Sequence, residues 1–251
     1  MAPEQLSHFI DFFWETDFSH LWADHPAGFS DVLFANTGYT YLINLGTPFT
    51  MQVGERKFEM RTDGFLPRHK RLECFHQKDN CIFGIKFRVS PILFIKNINF
   101  SEYTEYIYPL SYLLDPNIIE TIKKASTFSE RVDAVTRYFA SIIEGNEKKQ
   151  LPVSIVTSIM NNCDKENDFT TPIEDIAARY KISSRTLQRY FETCTGIGSK
   201  QALQVMRIRK ATEHMVNSPN DFHYSKYGYY DYSHFSKHLR SFLGTGIAFY
   251  T

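Results

Sequence analysis

Along residues 39–89, apolar and polar positions alternate with the two-residue period of strands or gather into short apolar runs. Residues 39–45 (YTYLINL) are aromatic and β-branched, residues 49–60 (FTMQVGERKFEM) alternate around Gly54 as a hairpin does, and residues 81–89 (CIFGIKFRV) form a further run. Gly46-Thr47-Pro48, Asp63-Gly64 and Ser90-Pro91 punctuate them as turns. After Pro109 the period lengthens to 3.6: Val132, Val135, Phe139 and Ile142 share one helical face, while Glu130, Arg131, Arg137 and Glu144 are expected to stay polar. That helix should end near Gly145-Asn146. The polar stretch 144–150, with Pro152 as first residue of the next helix, marks a boundary. The pattern predicts an α+β chain: a mostly β part over residues 1–115, barrel or cupin-like, a helical linker over 116–150, and an all-α part over 151–251.

In the all-α part, Thr171, Pro172 and Glu174 form a helix-start signal of the capping-box kind, with Ile173, Ile176 and Ala177 apolar behind it. Lys181-Ile182-Ser183 makes a short turn, and Ser183 or Ser184 can cap a second helix running to about Thr193. At 100° per residue, Leu187 and Phe191 of that helix share a buried face. Arg185, Gln188 and Arg189, with Ser184 at the start, are left free on the other side. Arginine can donate twice to guanine and glutamine can pair with adenine, so these types on one exposed helix suit a DNA major groove. Residues 227–244 repeat the plan: Phe235, Leu239 and Phe242 form the stripe, and Ser233, Lys237 and Arg240 face away, with His234 at the edge. Between the units, residues 200–216 read as a long helix, a rigid spacer carrying Arg207, Arg209 and Lys210.

Composition changes this picture little. With 43 % hydrophobic residues, the 251-residue chain can bury one large core or two smaller ones. Net charge is zero, but residues 151–251 hold 12 Lys and Arg against 9 Asp and Glu, and the remainder 16 against 19. Phosphate attraction must therefore come from where individual cations sit. No apolar window reaches membrane-spanning length and no export signal opens the chain, so a cytoplasmic protein with reduced cysteines is expected.

Three segments, IEDIAARYKISSRTLQRYFETCTG, MRIRKA and GYYDYSHFSKHLRSFLG, together resemble the DNA-binding domain of the AraC/XylS family of bacterial transcription regulators. The resemblance covers residues 153–250. It implies a two-lobed domain of seven helices that sets two recognition helices in successive major grooves of promoter DNA. It also implies that Arg185, Gln188 and Arg189, then Ser233, His234 and Lys237, occupy base-contacting positions. A small-molecule effector, RNA polymerase and a second copy of the chain are the further partners it suggests, and no membrane. The chain departs from the family in being about two residues shorter between Ala211 and Gly228, in lacking an isoleucine-rich helix there, and in having Ser199 and Ile247 where proline is usual. Phe13-Trp14, YLINLGTPF and FGIKFRVSP resemble an N-terminal domain of some AraC-type regulators, which implies a sensor or dimerisation role.

No phosphate loop, GxSxG, HExxH or helical carboxylate pair is present, so no enzyme is expected. Asp11, Asp17, Asp24, His20 and His25 read as solvated positions. Phe12, Phe13, Trp14, Trp22, Phe34, Tyr39 and Tyr41 read as core before pocket. His69, Cys74, His76 and Cys81 match no zinc spacing, and neither metal nor cofactor is assigned. The alternative function is a metal-binding or enzymatic N-terminal module with the helices as a degenerate interaction platform.

Overall fold

The computed structural model describes residues 4–68, 70–96, 98–103, 106–144 and 147–244. His69, Gly145-Asn146 and Ile247 thus lie outside the described residues. Strands β1 (Ile10–Glu15), β3 (Tyr39–Asn44), β6 (Gly64–Pro67), β8 (Ile82–Phe87) and β9 (Tyr108–Pro109) form an antiparallel sheet in the order β1-β8-β3-β6-β9. The second sheet, order β2-β7-β4-β5, comprises β2 (Phe29–Leu33), β4 (Phe49–Val53), β5 (Arg56–Met60) and β7 (Leu72–His76). The expected hairpin is β4–β5, and Gly54 at φ 59° opens its two-residue loop.

The two sheets face each other through Leu42, Leu66 and Ile82 on one side and Phe49, Met51, Leu72 and Cys74 on the other. β3 and β8 are buried at every position, because the first sheet is covered on both faces. Its second face presents Tyr39, Tyr41, Phe65, Phe83, Ile85 and Phe87 to the helices. Gly84 is needed where it stands: the Trp14 indole lies where its Cβ would be.

Helix α1 (Pro116–Lys124) starts at an Asp115 cap, and α2 (Phe128–Ile143) starts at a complete capping box of Thr127 and Glu130. α2 packs on the sheet, with Phe139 edge-on to Phe87 at 5.4 Å between ring centroids. Arg131 departs from the expected polar face. It is buried at 9 % exposure, because the end of β1 places Glu15 beneath it, 3.0 Å from Nη1, and Nη2 donates to the Ala125 carbonyl at 2.8 Å.

Helix α3 (Glu147–Glu166) contains Pro152 as an interior residue rather than at its start. One backbone bond near the helix end is given up for it, while Val153, Val156, Ile159, Met160 and Cys163 bury the rest. α3 joins the two halves: Thr157 donates to the His8 carbonyl at 3.3 Å, and Arg88 of the β part bonds Asn161. The buried apolar set is continuous from Leu6 to Leu243. The remaining helices are α4 (Ile173–Arg179), α5 (Ser184–Thr195), α6 (Ser199–Asn217) and α7 (Tyr232–Leu243). From residue 147 onward there are thus five α-helices and one 3-10 turn, Tyr224–Tyr227, among the described residues, where the resemblance implied seven helices.

Candidate nucleic-acid interface

The first unit opens differently from its sequence signal. Asp168 accepts the amides of Thr170 and Thr171 and also the Thr171 hydroxyl, and Pro172 rather than Thr171 takes the cap position of α4, without a side-chain bond. These bonds, the Thr171 hydroxyl foremost, hold the Asp168 carboxyl below its ordinary range. The turn passes through Lys181 in the left-handed region at φ 56°. Ser183 then caps α5, its Oγ accepting the Thr186 amide at 3.1 Å. Leu187, Phe191 and Cys194 bury one side of α5, as the helical period requires, and Gly196 ends the helix at φ 79°.

Arg185 and Arg189 are exposed and adjacent on the open face, with Ser184 half-buried. Gln188 lies between them but is not free. Gly198 precedes α6 and has no side chain to cap it, and the Gln188 amide fills the space beside that glycine. Gln188 Oε1 accepts from the Ser199 amide at 3.1 Å and the Ser199 hydroxyl at 3.0 Å. Its Nε2 donates to Glu192 at 2.7 Å. Ser199, where the family has proline, is what makes this exchange available, since proline has no N–H to offer.

In the second unit the 3-10 turn ends at Gly228, φ 73°, pressed against the Thr170 methyl. Asp231 caps α7 through the His234 amide at 2.7 Å. Phe235, Leu239, Phe242 and Leu243 are buried, whereas Ser233, His234, Lys237 and Arg240 are exposed. The spacer is a single helix, α6, whose cations are engaged with the protein. Arg207 stacks on Tyr229 at 3.7 Å, Arg209 pairs with Glu213 at 2.9 Å, and Lys210 pairs with Asp164 at 3.3 Å. Burial lowers the Arg207 pKa, and burial together with Arg207 lowers that of His238, which bonds the Tyr229 hydroxyl. The open face of each unit therefore holds two cations with a short polar side chain nearby: Arg185 and Arg189 with Ser184, then Lys237 and Arg240 with Ser233.

Both α5 and α7 end on the β half. Gly196 sits against the Tyr39 hydroxyl, which donates to the Phe100 carbonyl at 3.0 Å, and Phe242 of α7 stacks on Phe34 at 5.5 Å. Inside the β half, a cavity of about 370 Å³ is lined by Phe12, Trp14, Phe18, Leu33, Arg68 and, from α6, Arg209, among others. Tyr39 and Tyr41 are core, as expected, while Phe12, Trp14 and Phe34 line the cavity. Arg68 is 7 % exposed; its two terminal nitrogens bond Thr40 and the Phe34 carbonyl, its Nε has no partner, and burial pulls its pKa down to about 10. Lys86, fully buried, donates to the Thr37 and Phe87 carbonyls, and burial lowers it to about 7.

Of the soft side chains picked out by spacing, Cys74 and His76 come together on β7 and Cys81 does not; its thiol turns to the Thr16 carbonyl at 3.7 Å. Asp31, which spacing missed, joins them from β2, paired directly opposite Cys74. Burial and the Asp31 carboxylate push the Cys74 thiol well above its ordinary range. Asp11, expected in solvent, is bonded to Arg88.

No family model matches the chain. Over 239 residues, 86 % of this chain and 83 % of the other, it is 23 % identical to the HTH-type transcriptional activator RhaS of Enterobacter sp. (strain 638). In sequence the chain is thus similar to an HTH-type transcriptional activator. Among solved structures, ToxT from Vibrio cholerae aligns with this chain at a TM-score of 0.48 and 13 % identity, covering 92 % of this chain and 94 % of that one. The AraC-like transcriptional activator CuxR aligns at a TM-score of 0.29 and 11 % identity, covering 80 % and 73 %. RhaS and CuxR are both transcriptional activators. No described helix is long and apolar enough to cross a membrane.

Proposed function

We propose that the chain is a transcription regulator of the AraC/XylS type that binds promoter DNA in a sequence-specific way, with α5 reading bases through Arg185 and Arg189, and α7 adding Lys237, Arg240, Ser233 and His234. The observation that carries this is the exposed Arg185–Arg189 pair on a helix whose other side, Leu187 and Phe191, is fully buried behind a short helix and turn. Such a helix can enter a groove without disturbing its own packing. Gln188 serves the fold before it serves DNA, and reading adenine would require it to leave Ser199 and Glu192.

The β half acts as the sensor. Its cavity has aromatic and aliphatic walls and cationic groups in Arg68 and Arg209, so its effector is an apolar molecule carrying an anionic group. Because Arg209 belongs to α6, the spacer between the reading units, an occupant touches both halves and can shift the balance between two DNA-binding states. The test is binding of the full chain to its own promoter region by fluorescence anisotropy, with and without the double substitution R185A/R189A. A loss of about 1–3 kcal/mol per contact is expected. Unchanged affinity in a folded double variant overturns this assignment.

A further inference from the structure

We infer that Asp31, Cys74 and His76 form a binding site for one transition-metal ion of the zinc class at the wall of the β-half cavity. The three ligand atoms lie within 4.8 Å of one another, close enough for one ion to reach all three. Two of the residues, Cys74 at 3 % and His76 at 4 % exposure, are held on one face of β7, two positions apart, and Asp31 stands opposite Cys74 in register. Strands fix these side chains more firmly than loops would.

The hydrogen bonding around His76 supplies the second, independent observation. Asn80 donates through Nδ2 to the Thr47 carbonyl at 3.0 Å, which turns its Oδ1 toward His76 Nδ1 at 2.6 Å. The amide oxygen can only accept, so His76 Nδ1 carries the hydrogen. In the neutral ring, Nε2 then offers a lone pair, and it faces the Asp31 carboxylate oxygen at 3.2 Å. Two acceptors set against each other in this way are reconciled by a positive centre shared between them, a proton or a metal ion. An Nδ1–H bonded to an oxygen is also the usual support behind a metal-binding imidazole, since it fixes the tautomer and the ring orientation. Phe18, Phe29 and Phe49 surround the ring, with centroids 4.5, 5.0 and 5.8 Å away, and limit water there.

The donor set decides the class of ion. One sulfur, one nitrogen and one oxygen suit zinc or a neighbouring divalent ion such as cobalt, and are wrong for magnesium or calcium, which need oxygen ligands. Three protein ligands leave a fourth position, and these residues line the cavity, so that position is reachable by water or by an anionic group of a molecule inside it. The inference goes beyond the DNA-binding proposal and stands or falls separately.

The probe is cobalt(II) added to the chelator-treated full chain, followed by absorption spectroscopy, with zinc as competitor. One equivalent is expected to bind, with a thiolate-to-cobalt band that zinc removes and that C74S lacks. D31N, at a half-exposed position that should not disturb folding, should weaken binding about tenfold or more, and N80A about 10- to 100-fold through loss of ring support. Absence of stoichiometric cobalt overturns the site and leaves a protonated His76 bridging Asn80 and Asp31. A cobalt spectrum unchanged in C74S and D31N overturns it equally.

Discussion

Replacing Gln188 separates two roles that lie on one helix face. In Q188A, α6 loses the acceptor for its first amide, which for a helix cap costs about 0.5–2 kcal/mol. The Ser199 hydroxyl, 1 % exposed, loses its acceptor as well, adding about 1 kcal/mol for a buried donor left unpaired. The expected loss is about 2 kcal/mol, a fall in Tm of about 4–8 °C for a chain of this size. Arg185 and Arg189 are exposed, so R185A and R189A should each move stability by no more than about 0.5 kcal/mol. Their DNA affinity should nevertheless fall by about 1–3 kcal/mol each. Q188E keeps an acceptor for Ser199 but sets a like charge four residues from Glu192, and should lie between wild type and Q188A in stability. Urea unfolding and anisotropy titrations on the same preparations give both quantities. If Q188A unfolds at the wild-type midpoint, the capping role is wrong. If the arginine variants lose stability in proportion to affinity, they act on the fold and not on the bases.

Lys237 is exposed on α7, and K237A should weaken binding alike on different sequences and lower the slope of log affinity against log salt by about one, as measured over a salt series. Lys86 gives a pH dependence: its folded pKa is depressed to about 7, so between there and its ordinary value the unfolded chain binds a proton that the folded chain refuses. Stability should rise with pH through that window and fall as pH drops toward 7, by at most about 1.4 kcal/mol per unit, and K86M should remove the slope in urea unfolding. G196A forces a Cβ onto the Tyr39 hydroxyl at a left-handed φ and should cost more than about 1 kcal/mol. Combining it with Y39F should recover part of that cost, and a double-mutant cycle showing no coupling would count against the contact.

What could be read from the sequence was what local periodicity controls. The alternation over residues 39–89 gave the strands, and Leu187 and Phe191 gave the buried side of α5, because one element's own spacing decides both. Arg131 was misplaced because its partner, Glu15, lies on a strand more than a hundred residues away. Gln188 was read as free because its engagement depends on Gly198, a residue on the next element that lacks a cap of its own. Thr171 lost its capping role because Asp168, three residues before it, engages its amide and hydroxyl and turns it away from α4. Asp31 could not be joined to Cys74 and His76 without the β2–β7 register, although the Cys-x-His spacing on a strand was a visible hint that two ligand types share a face.

The contacts between halves bear on how sensing could reach DNA. α5 ends at Gly196, held by Tyr39 of β3, and α7 ends beyond Phe242, held by Phe34 just after β2. β3 belongs to one sheet and β2 to the other, and the cavity with Arg68 lies between those sheets. A molecule that alters the spacing of the sheets therefore moves the anchors of the two reading helices relative to each other, which no change confined to either sheet would do. Two helices docked on DNA tolerate little change in separation, since each must meet its own groove. Packed sheets resist gradual deformation, so the response is expected as a shift between two arrangements. The coupling should be lost first in F34A, which frees α7 from the β half while leaving Arg185, Arg189 and the cavity's Arg68 in place. In that variant DNA binding should persist and its dependence on an effector should weaken.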